Sequence, residues 1–453
     1  MLLAVPLGLL AAKLLLIDRT DNAFHRTSVE ASSLGIPLTV SLDNGLDTFA
    51  YTIRPNPVQS GGSFEVVLYL TARNTPQSDY RPLFQLQSAD NLQWNLNPHE
   101  TVPPRWHRQP PRTQSWPAGD YGQFARQYQV LSGTPPGEYR LYATMFDAET
   151  LETSKAITPP GVPQTDQINL GTITVLRPSA PASTAALEMK VETGTRLTPG
   201  VTLLGGSADR RQAIPGDLMT VTLFFLADAA PSADEYITLA LQGTDFALRL
   251  EPTPGFPTSH WQPGDVWRGQ HLLRLPANIP DGEHIWTVRA SSETNDVIYL
   301  EKMRVITPRR IFEKPNITHP AGMTFGKDII LSGYDLTQPQ AGIGDGLEIR
   351  LIWNALDTPT EDASAFVHLE SSAGELVSQH DSVPANWSRP TLGWLPGEYV
   401  IDLHYLTVPA DAQPGAYHLY AGMAERTSGR RLPVTTKHAI DDRVFLGQFD
   451  IVP

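Results

Sequence analysis

The chain has 453 residues, which suggests about three globular units at roughly 150 residues each. It carries 34 Lys and Arg against 48 Asp and Glu, and this net charge of −14, without a block of clustered cations, argues against nucleic-acid binding. The absence of cysteine excludes disulfides, thiolate nucleophiles and Cys-ligated metal sites, while 40 prolines and 34 glycines favour an all-β protein over a helical bundle.

The first predicted element is an apolar run over residues 1–17, MLLAVPLGLLAAKLLLI, followed by a juxtamembrane segment over residues 18–29. As a helix the run would span about 26 Å, the short end of what crosses a bilayer core. We expect a transmembrane or anchor helix, with an atypical signal peptide or a buried helix as alternatives. Lys13, Arg19 and Arg26 all lie on the carboxyl side of the run and no cation lies on its amino side, so the local charge bias would hold the rest of the chain in the cytoplasm.

An internal repeat organises the rest of the sequence. Three tryptophans are each followed three residues later by a glycine, then by an acid, and 21 residues later by a second glycine in a turn. Because this spacing occurs three times, we expect three homologous tandem domains rather than blades of one propeller. The repeated residues are Trp116, Gly119 and Gly137; Trp261, Gly264 and Gly282; and Trp394, Gly397 and Gly415.

Apolar and polar residues alternate through each repeat unit with the period of two that is typical of half-buried strands. Phe64, Val66, Leu68 and Leu70 form one such series. We therefore predict an all-β chain of three tandem two-sheet β-sandwiches, immunoglobulin- or jelly-roll-like, preceded by one N-terminal hydrophobic helix. The predicted domains are residues 30–178, 185–307 and 312–453, and the Pro-containing stretches 177–183 and 307–310 are the predicted linkers.

The repeated tryptophans have two interpretations, a sugar-stacking platform or a structural residue that packs a sheet edge. Their recurrence at a fixed offset favours the structural one. Aromatic residues outside the repeat are better candidates for a glycan-facing surface, together with arginines of the basic loop PPRWHRQPPR, although an exposed loop solvated by its own charges is the simpler interpretation. These candidates are Trp94, Trp106, Arg105, Arg108, Trp267 and Trp387.

Catalytic signatures are sparse. The His380–Asp381 neighbours and the Asp402/His404 pair match no metal-ligand spacing, and the sequence contains no zinc-protease, nucleophile-elbow, phosphate-loop, dinucleotide-binding or EF-hand motif. We therefore expect no catalytic residue, metal or cofactor, with a β-sandwich glycan hydrolase or lyase as the rival. Asn386-Trp387-Ser388 and Asn316-Ile317-Thr318 are glycosylation sequons, meaningful only in an exported chain.

The third unit resembles a known family. It contains, in order, GYDL at Gly333, LEIRLIWNALDTPTEDASAFVHLESSAGELVSQHD, PT-x-x-W-x-P-G-E and LTVPADAQPGAYHLYAGMAERTSGRRLPV. This series is similar to the C-terminal β-sandwich modules of bacterial multi-spanning glycosyltransferase-like proteins, the membrane enzymes related to dolichyl-phosphate-mannose protein mannosyltransferases. The resemblance covers residues 325–452 well and residues 1–26 loosely; it departs at residues 422–426, where G-x-Y-D would be usual.

The resemblance implies a polyprenyl-phosphate sugar donor and a catalytic acid located between early membrane helices, which this chain does not contain. It therefore implies the non-catalytic outer part of such a system, at the outer face of the cytoplasmic membrane and opposite to the local charge bias. We expect an accessory role, either scaffolding or weak binding of cell-envelope glycan, with a membrane glycosyltransferase as a possible partner. A fragment or subunit of such a transferase is the alternative.

Overall fold

The computed structural model describes residues 34–96, 111–159, 164–291, 297–338, 340–435 and 439–452. Strands make up 54% of the described residues, and no helix among these residues reaches seven residues, so the all-β prediction is confirmed. The predicted hydrophobic helix of residues 1–17 lies outside the described residues. Within the described ranges, no helix has the length and apolar character needed to cross a bilayer.

The strands in chain order are β1 (Ile36–Ser41), β2 (Leu46–Arg54), β3 (Val58–Gln59), β4 (Ser63–Ala72), β5 (Tyr80–Gln87), β6 (Tyr121–Gln129), β7 (Gly137–Asp147), β8 (Gln167–Leu176), β9 (Val191–Thr198), β10 (Val201–Ala208), β11 (Gln212–Ala213), β12 (Leu218–Ala227), β13 (Ile237–Leu241), β14 (Ala247–Leu250), β15 (Val266–Arg274), β16 (Gly282–Ala290) and β17 (Ile298–Val305). They continue with β18 (His319–Phe325), β19 (Ile329–Leu336), β20 (Gln340–Gly342), β21 (Gly346–Ala355), β22 (Ala363–Ser371), β23 (Leu376–Ser382), β24 (Tyr399–Thr407), β25 (Gly415–Glu425), β26 (Val434–Thr435), β27 (Ala439–Ile440) and β28 (Arg443–Val452). Short 3-10 turns cover Thr113–Ser115, Thr184–Leu187, Thr258–His260 and Thr391–Gly393.

The strands form six sheets, with orders β1-β2-β4-β6, β3-β8-β7-β5, β15-β12-β10-β9, β11-β17-β16-β13-β14, β24-β21-β19-β18-β26 and β20-β28-β25-β22-β23. Two compact units result. The first holds the described residues up to Gly205 with Leu223–Glu235 and Glu251–Gln270. The second holds Gly206–Thr222, Tyr236–Leu250 and the described residues from His271 onward.

Each unit has a large apolar core to which two sheets contribute. In the first unit, side chains of β2, β4 and β6 pack with those of β5, β7 and β8; the ring centres of Tyr128 on β6 and Phe84 on β5, for example, are 5.8 Å apart. In the second unit, β19, β21 and β24 pack with β22, β25 and β28 in the same way. The alternating series Phe64, Val66, Leu68 and Leu70 is buried, as expected for one face of a strand whose other face meets solvent.

The repeated spacing corresponds to repeated strand boundaries. Strands β6, β15 and β24 each have nine residues and begin five residues after the repeated tryptophan. The three glycines 21 residues after the tryptophans are the first residues of β7, β16 and β25. The tryptophan therefore marks a fixed distance to the next two strands.

A recurring turn, which we call the Thr–Trp–Gly corner, surrounds each tryptophan. The glycine N–H donates to the carbonyl of an alanine that ends the strand β4, β12 or β21, and the N–H of that alanine donates to the carbonyl of the acid after the glycine. The glycines have φ between 77° and 90°, a region unfavourable for side chains with a Cβ. The paired residues are Ala72 with Gly119 and Asp120 (both 2.8 Å), Ala227 with Gly264 (2.8 Å) and Asp265 (2.9 Å), and Ala355 with Gly397 (2.7 Å) and Glu398 (2.9 Å).

A threonine three residues before each tryptophan completes the corner. The threonine carbonyl accepts a hydrogen bond from the tryptophan N–H. The buried threonine hydroxyl binds the loop that connects β4, β12 or β21 to the strand that follows it. Thr391 Oγ1, for example, accepts from Ala363 N (3.0 Å) and donates to Glu361 O (2.7 Å). Thr113 and Thr258 make the equivalent pair of bonds. The corner thus ties two loops and one strand end together.

Arginines of the two predicted linkers also bind corners. Each donates to the corner acid and to the carbonyl of the residue just before the corner tryptophan, and each lies 84 residues before that tryptophan, 177 to 261 and 310 to 394. The side chains of Asp265 and Glu398 are 12% and 0% exposed, so the acids of these ion pairs lose their hydration. Such pairs are stable only when the guanidinium is placed in a good hydrogen-bonding geometry. The contacts are Arg177 to Asp265 and His260 O (2.9 Å), and Arg310 to Glu398 (2.6 Å) and Gly393 O (3.1 Å).

We predict that Thr391→Val lowers the free energy of unfolding by about 1–3 kcal/mol, because the isosteric valine leaves the N–H of Ala363 and the carbonyl of Glu361 without their buried partner. Chemical denaturation measures this. Thr407→Val, at an exposed threonine at the end of β24, is the matched control and should change stability by less than about 0.5 kcal/mol. Equal effects of the two substitutions would contradict the corner's role.

Candidate functional site

The six predicted glycan-facing residues fall into three groups. Trp106, Arg105 and Arg108 lie outside the described residues. Trp94 and Trp267 are 4% and 0% exposed, whereas Trp387 is 60% exposed. Of the described candidates, therefore, only Trp387 has a face available to a ligand.

The two buried indoles pack inside the protein. Trp94 lies 5.5 Å from the ring of Tyr139. Trp267 is covered by the ring of Phe256 and by the guanidinium of Arg177, each 5.3 Å from its ring centre. Neither can stack on a sugar in this structure, because the ring faces are occupied by protein.

Trp387 lies in a tight turn over residues 383–389, which we call the Trp387 turn. Ala385, Asn386 and Trp387 have φ of 56°, 51° and 68°, so three consecutive residues other than glycine are left-handed. Such residues are individually uncommon and cost about 1–2 kcal/mol each for an L-amino acid, so the surrounding structure must stabilise the turn.

Backbone and side-chain bonds hold the Trp387 turn at both ends. The N–H of Trp387 donates to Val383 O (2.9 Å), and the N–H of Arg389 donates to Pro384 O (3.0 Å). At its centre, Ala385 N donates to the buried carboxylate of Asp402, 2.8 Å from Oδ1. The indole is therefore held outward by a network that extends into the core.

An arginine-rich surface adjoins the exposed indole. The guanidinium of Arg426 lies 5.7 Å from the ring centre of Trp387. Arg426 and Arg274 both pair with Asp362, at 3.3 Å and 3.1 Å. Because one carboxylate serves two guanidinium groups, one positive charge of this set stays uncompensated in a protein whose net charge is −14.

The neighbouring Glu425 is strongly anionic. A hydrogen bond from the side chain of Ser428, joined by the backbone N–H groups of Thr427 and Ser428, lowers the pKa of Glu425 to about 2 against the opposing effect of burial. By accepting these bonds, the Glu425 carboxylate stabilises the turn that follows β25. Its carboxylate is thus bound by its own loop, next to Arg426.

Three residues of the two His–Asp pairs noted in the sequence, His380, Asp402 and His404, come together behind the Trp387 turn, whereas Asp381 faces His368. His404 Nε2 lies 2.9 Å from Asp402 Oδ2, and His404 Nδ1 lies 3.0 Å from Nδ1 of His380 and 3.1 Å from its carbonyl. Trp353 Nε1 donates to the same carboxylate oxygen of Asp402 (3.1 Å). Asp402 and His404 are both fully buried. Nothing in the sequence indicated the contact between His380 and His404, because these two residues lie on strands of different sheets.

Asp402 and His404 have the composition of a catalytic dyad but not its accessibility, and His380 beside them is half-buried. A general base must come within hydrogen-bond distance of a substrate proton, and His404 is 0% exposed. Among the described residues, no group of three or more His, Cys, Asp and Glu side chains could hold a metal ion. The geometry supports a structural role for His380, Asp402 and His404, in which Asp402 binds the Trp387 turn and contacts His404, which in turn contacts His380.

The described carboxyl groups with a resolved pKa shift, Asp147, Asp234, Asp335 and Glu425, all have a lowered pKa. Hydrogen bonds lower the pKa values of Asp147, Asp234 and Glu425. For Asp335, burial raises the pKa, but hydrogen bonds from Thr318 and the charge of Arg350 outweigh burial, so its pKa is lowered as well. A glycosidase acid needs the opposite, a raised pKa that keeps its proton near neutral pH. None of the described carboxyl groups has a resolved upward pKa shift.

Sequence reasoning missed Arg426, Arg274 and Asp362 as neighbours of Trp387. Asp362 and Arg426 are 64 positions apart, and Arg274 precedes Asp362 by 88. The only local signal was the arginine-containing series AERTSGRRLPV, which the resemblance included without assigning it a role.

No protein-family model matches the chain, and no curated protein matches it. Among solved structures, the C-terminal domain of wzt has a TM-score of 0.23 and 12% identity, covering 29% of this chain and 77% of that one. A putative membrane anchored protein from Corynebacterium diphtheriae has a TM-score of 0.16 and 10% identity, covering 92% and 98% of the two chains. Both scores are too low to carry an argument about fold or function.

We predict that Asn386→Val lowers the free energy of unfolding by about 1 kcal/mol or more, because a β-branched side chain is strongly disfavoured at φ of 51°. Asn386→Gly is the control and should be neutral or slightly stabilising, since glycine adopts this region freely. Thermal denaturation of both variants measures the difference. Equal stability of the two variants would show that the turn does not keep its left-handed conformation.

Proposed function

We propose that this chain is a non-catalytic, extracytoplasmic accessory protein of three tandem β-sandwiches that binds anionic cell-envelope glycan weakly through the Trp387 surface. The surface consists of Trp387, Arg426, Arg274 and Asp362. The observation that carries the proposal is the exposed indole held on a left-handed turn beside an incompletely neutralised arginine pair.

Stacking is the first part of the recognition. An indole presents a large, rigid apolar face at low conformational cost, and the C–H groups of a pyranose ring match it. Arg426 lies on the ring of Trp387, and the side chain is nonetheless 60% exposed. One ring face therefore stays available for a sugar.

Charge is the second part. Arg426 is 39% exposed on its side chain and shares Asp362 with Arg274. Exposed ion pairs contribute little stability, so a carboxylate or phosphate of a glycan can replace Asp362 as the partner of Arg426 at small cost. One ring and one guanidinium form a small contact, which is why we expect weak binding, with dissociation constants on the order of millimolar.

The three-module organisation rests on the recurrence of the Thr–Trp–Gly corner. The same backbone bonds occur around Trp116, Trp261 and Trp394, and each is followed by strands at the same offsets. Three sandwiches with boundaries near residues 30–178, 185–307 and 312–453 are the arrangement that this recurrence supports. Scaffolding is the other accessory role that we propose for these modules.

We predict that Trp387→Ala weakens binding to polygalacturonate, an anionic polysaccharide, at least tenfold, because it removes the stacking face. Affinity electrophoresis in gels containing the polymer measures this. Tyr299→Ala, at another exposed aromatic residue of the same unit, is the matched control and should bind as the unaltered chain does.

The charged part is tested separately. Arg426→Gln should weaken binding to polygalacturonate and leave any retardation by neutral dextran unchanged, since only the anion contact is lost. Full retention of polymer binding in Trp387→Ala, or no retardation of the unaltered chain by either polymer, would contradict the glycan-binding proposal.

Attachment to the membrane is the remaining element of the proposal, with residues 1–17 as the anchor and the sandwiches outside. The resemblance to glycosyltransferase-like proteins supports the outer face, whereas Lys13, Arg19 and Arg26 favour the inner one. We predict that alkaline phosphatase, which is active only outside the cytoplasm, is active when fused after residue 453 and that the fusion sediments with membranes. An inactive phosphatase on a full-length fusion would overturn the location.

A further inference from the structure

We propose that the Trp387 surface is a composite of the second and third repeats, in which Gly216 and Gly393 are positioning residues that bring Arg274 of β15 to Asp362. This inference rests on the proposed function and deepens it, because it identifies the contact in the fold that places a second cation near the exposed indole. All of these residues belong to the second compact unit.

Arg274 binds both repeats at once. Its Nη1 donates to the carbonyl of Gly216, in the turn before β12 (2.7 Å), and its Nη2 donates to Asp362 of the third repeat (3.1 Å). The Arg274 side chain is 29% exposed, so its guanidinium is held at the surface. The position of this guanidinium therefore depends on how the turn before β12 lies against the loop that carries Asp362.

The turn before β12 meets the third corner backbone to backbone. A Cβ on Gly216 would lie closer than 3.0 Å to the backbone of Gly393, and a Cβ on Gly393 would lie equally close to the carbonyl of Pro215, a separation that real Cβ atoms essentially never show. Because the backbones on both sides are packed, neither position accommodates a side chain unless the two turns move apart. We call this the glycine contact.

The third corner holds Asp362 from the other side. The hydroxyl of Thr391 in this corner binds Ala363 N (3.0 Å) and Glu361 O (2.7 Å), the residues directly before and after Asp362. The glycine contact therefore joins the turn that binds Arg274 to the corner that holds Asp362.

Arg310 ties the same two segments together. It donates to Ala277 O, in the loop after β15 (2.6 Å), and to Gly393 O of the third corner (3.1 Å), and it pairs with Glu398. Ala277 lies three residues after the end of β15. Arg310 therefore restrains the end of the strand that carries Arg274.

The glycine at this position is specific to the third corner. The residue before the tryptophan is Ser115 in the first corner and His260 in the second, but Gly393 in the third. The backbone bonds of the corner are the same in all three, so the corner itself accommodates a Cβ at this position. The φ of Gly393 is not positive, so its backbone conformation does not require glycine either. The close approach of the turn before β12 is what requires it.

Arg274 supplies the second guanidinium of the Trp387 surface. Because Arg274 and Arg426 both pair with Asp362, an anionic group that takes the place of this carboxylate binds two cations instead of one. If the glycine contact opens, Arg274 moves away with its turn and Asp362 is left to neutralise Arg426. We then expect weaker binding of an anionic glycan.

A double-mutant cycle in the full chain tests whether Gly393 acts through Arg274. We expect Gly393→Ala and Arg274→Gln each to weaken binding to polygalacturonate about two- to fivefold, the range for an exposed ion pair, as measured by affinity electrophoresis. The double variant should bind no more weakly than the weaker single variant. Gly346→Ala is the matched control and should bind as the unaltered chain does, because a Cβ there would meet only Leu406 O, 4.0 Å away.

Fluorine NMR of the full chain labelled with 5-fluorotryptophan follows the same cycle without any glycan. The Trp387 signal, assigned by its loss in Trp387→Phe, reports on Arg426, whose guanidinium lies 5.7 Å from the ring centre. We expect Arg274→Gln to shift this signal, because Asp362 is then left to Arg426 alone. Gly393→Ala should shift the signal in the same direction, and the double variant should match Arg274→Gln.

The two measurements separate this inference from the proposed function. Additive losses of binding, or a Trp387 signal that either single variant leaves in place, would overturn the composite surface even if the polymer binds. The expected shifts without retardation of the unaltered chain by polygalacturonate would leave the composite surface standing and remove the proposed function.

A second variant covers the case in which Gly393→Ala does not fold. Arg310→Gln then replaces it in both cycles, because it removes the bond to Ala277 O while Glu398 keeps its pair with Arg389. The same non-additivity with Arg274→Gln is expected, and its absence would overturn the inference.

Discussion

The hydrogen bonds that the glycine and the acid of each Thr–Trp–Gly corner make with the alanine at the end of β4, β12 or β21 are the constraint on which the rest of this structure depends. The N–H of Gly397 and the carbonyl of Glu398 both bond to Ala355, so the start of β24 is fixed relative to the end of β21. Once that register is set, the alternation of side chains decides which residues of β24 face the core. Asp402 and His404 are buried for this reason.

The Trp387 turn is bonded to the third corner at one end and to the buried Asp402 at its centre. Trp394 Nε1 donates to the carbonyl of Arg389, and the guanidinium of Arg389 binds Glu398, so the carboxyl end of the Trp387 turn is part of the third corner. The centre of the turn is bound by Asp402. Three left-handed residues are tolerated because the structure on both sides is rigid, which is how strained backbone persists at functional surfaces.

Much of the strand framework could be predicted from local patterns, because alternation and turn glycines are short-range signals. The first residues of β7, β16 and β25 are the glycines that the spacing identified. The threonine three residues before each tryptophan recurs in the sequence, but its hydrogen-bond partners were not predictable, since they lie in another loop. Burial of Trp94 and Trp267 also escaped prediction, because exposure of an indole is decided by side chains distant in sequence, such as Arg177 over Trp267. For the same reason the contact of His380 with His404 required the tertiary structure.

The constant offset between each linker arginine and the corner it binds has a consequence for how modules of this kind can be exchanged. Arg177 and Arg310 lie before the first strand of the repeat whose acid they bind. A crossover placed after either arginine would combine the linker arginine of one parent protein with the corner acid of another. Asp265 or the buried Glu398 would then face an arginine from a different parent. A crossover placed just ahead of the arginine keeps donor and receptor together, so the inheritable segment starts in the linker and not at the first strand.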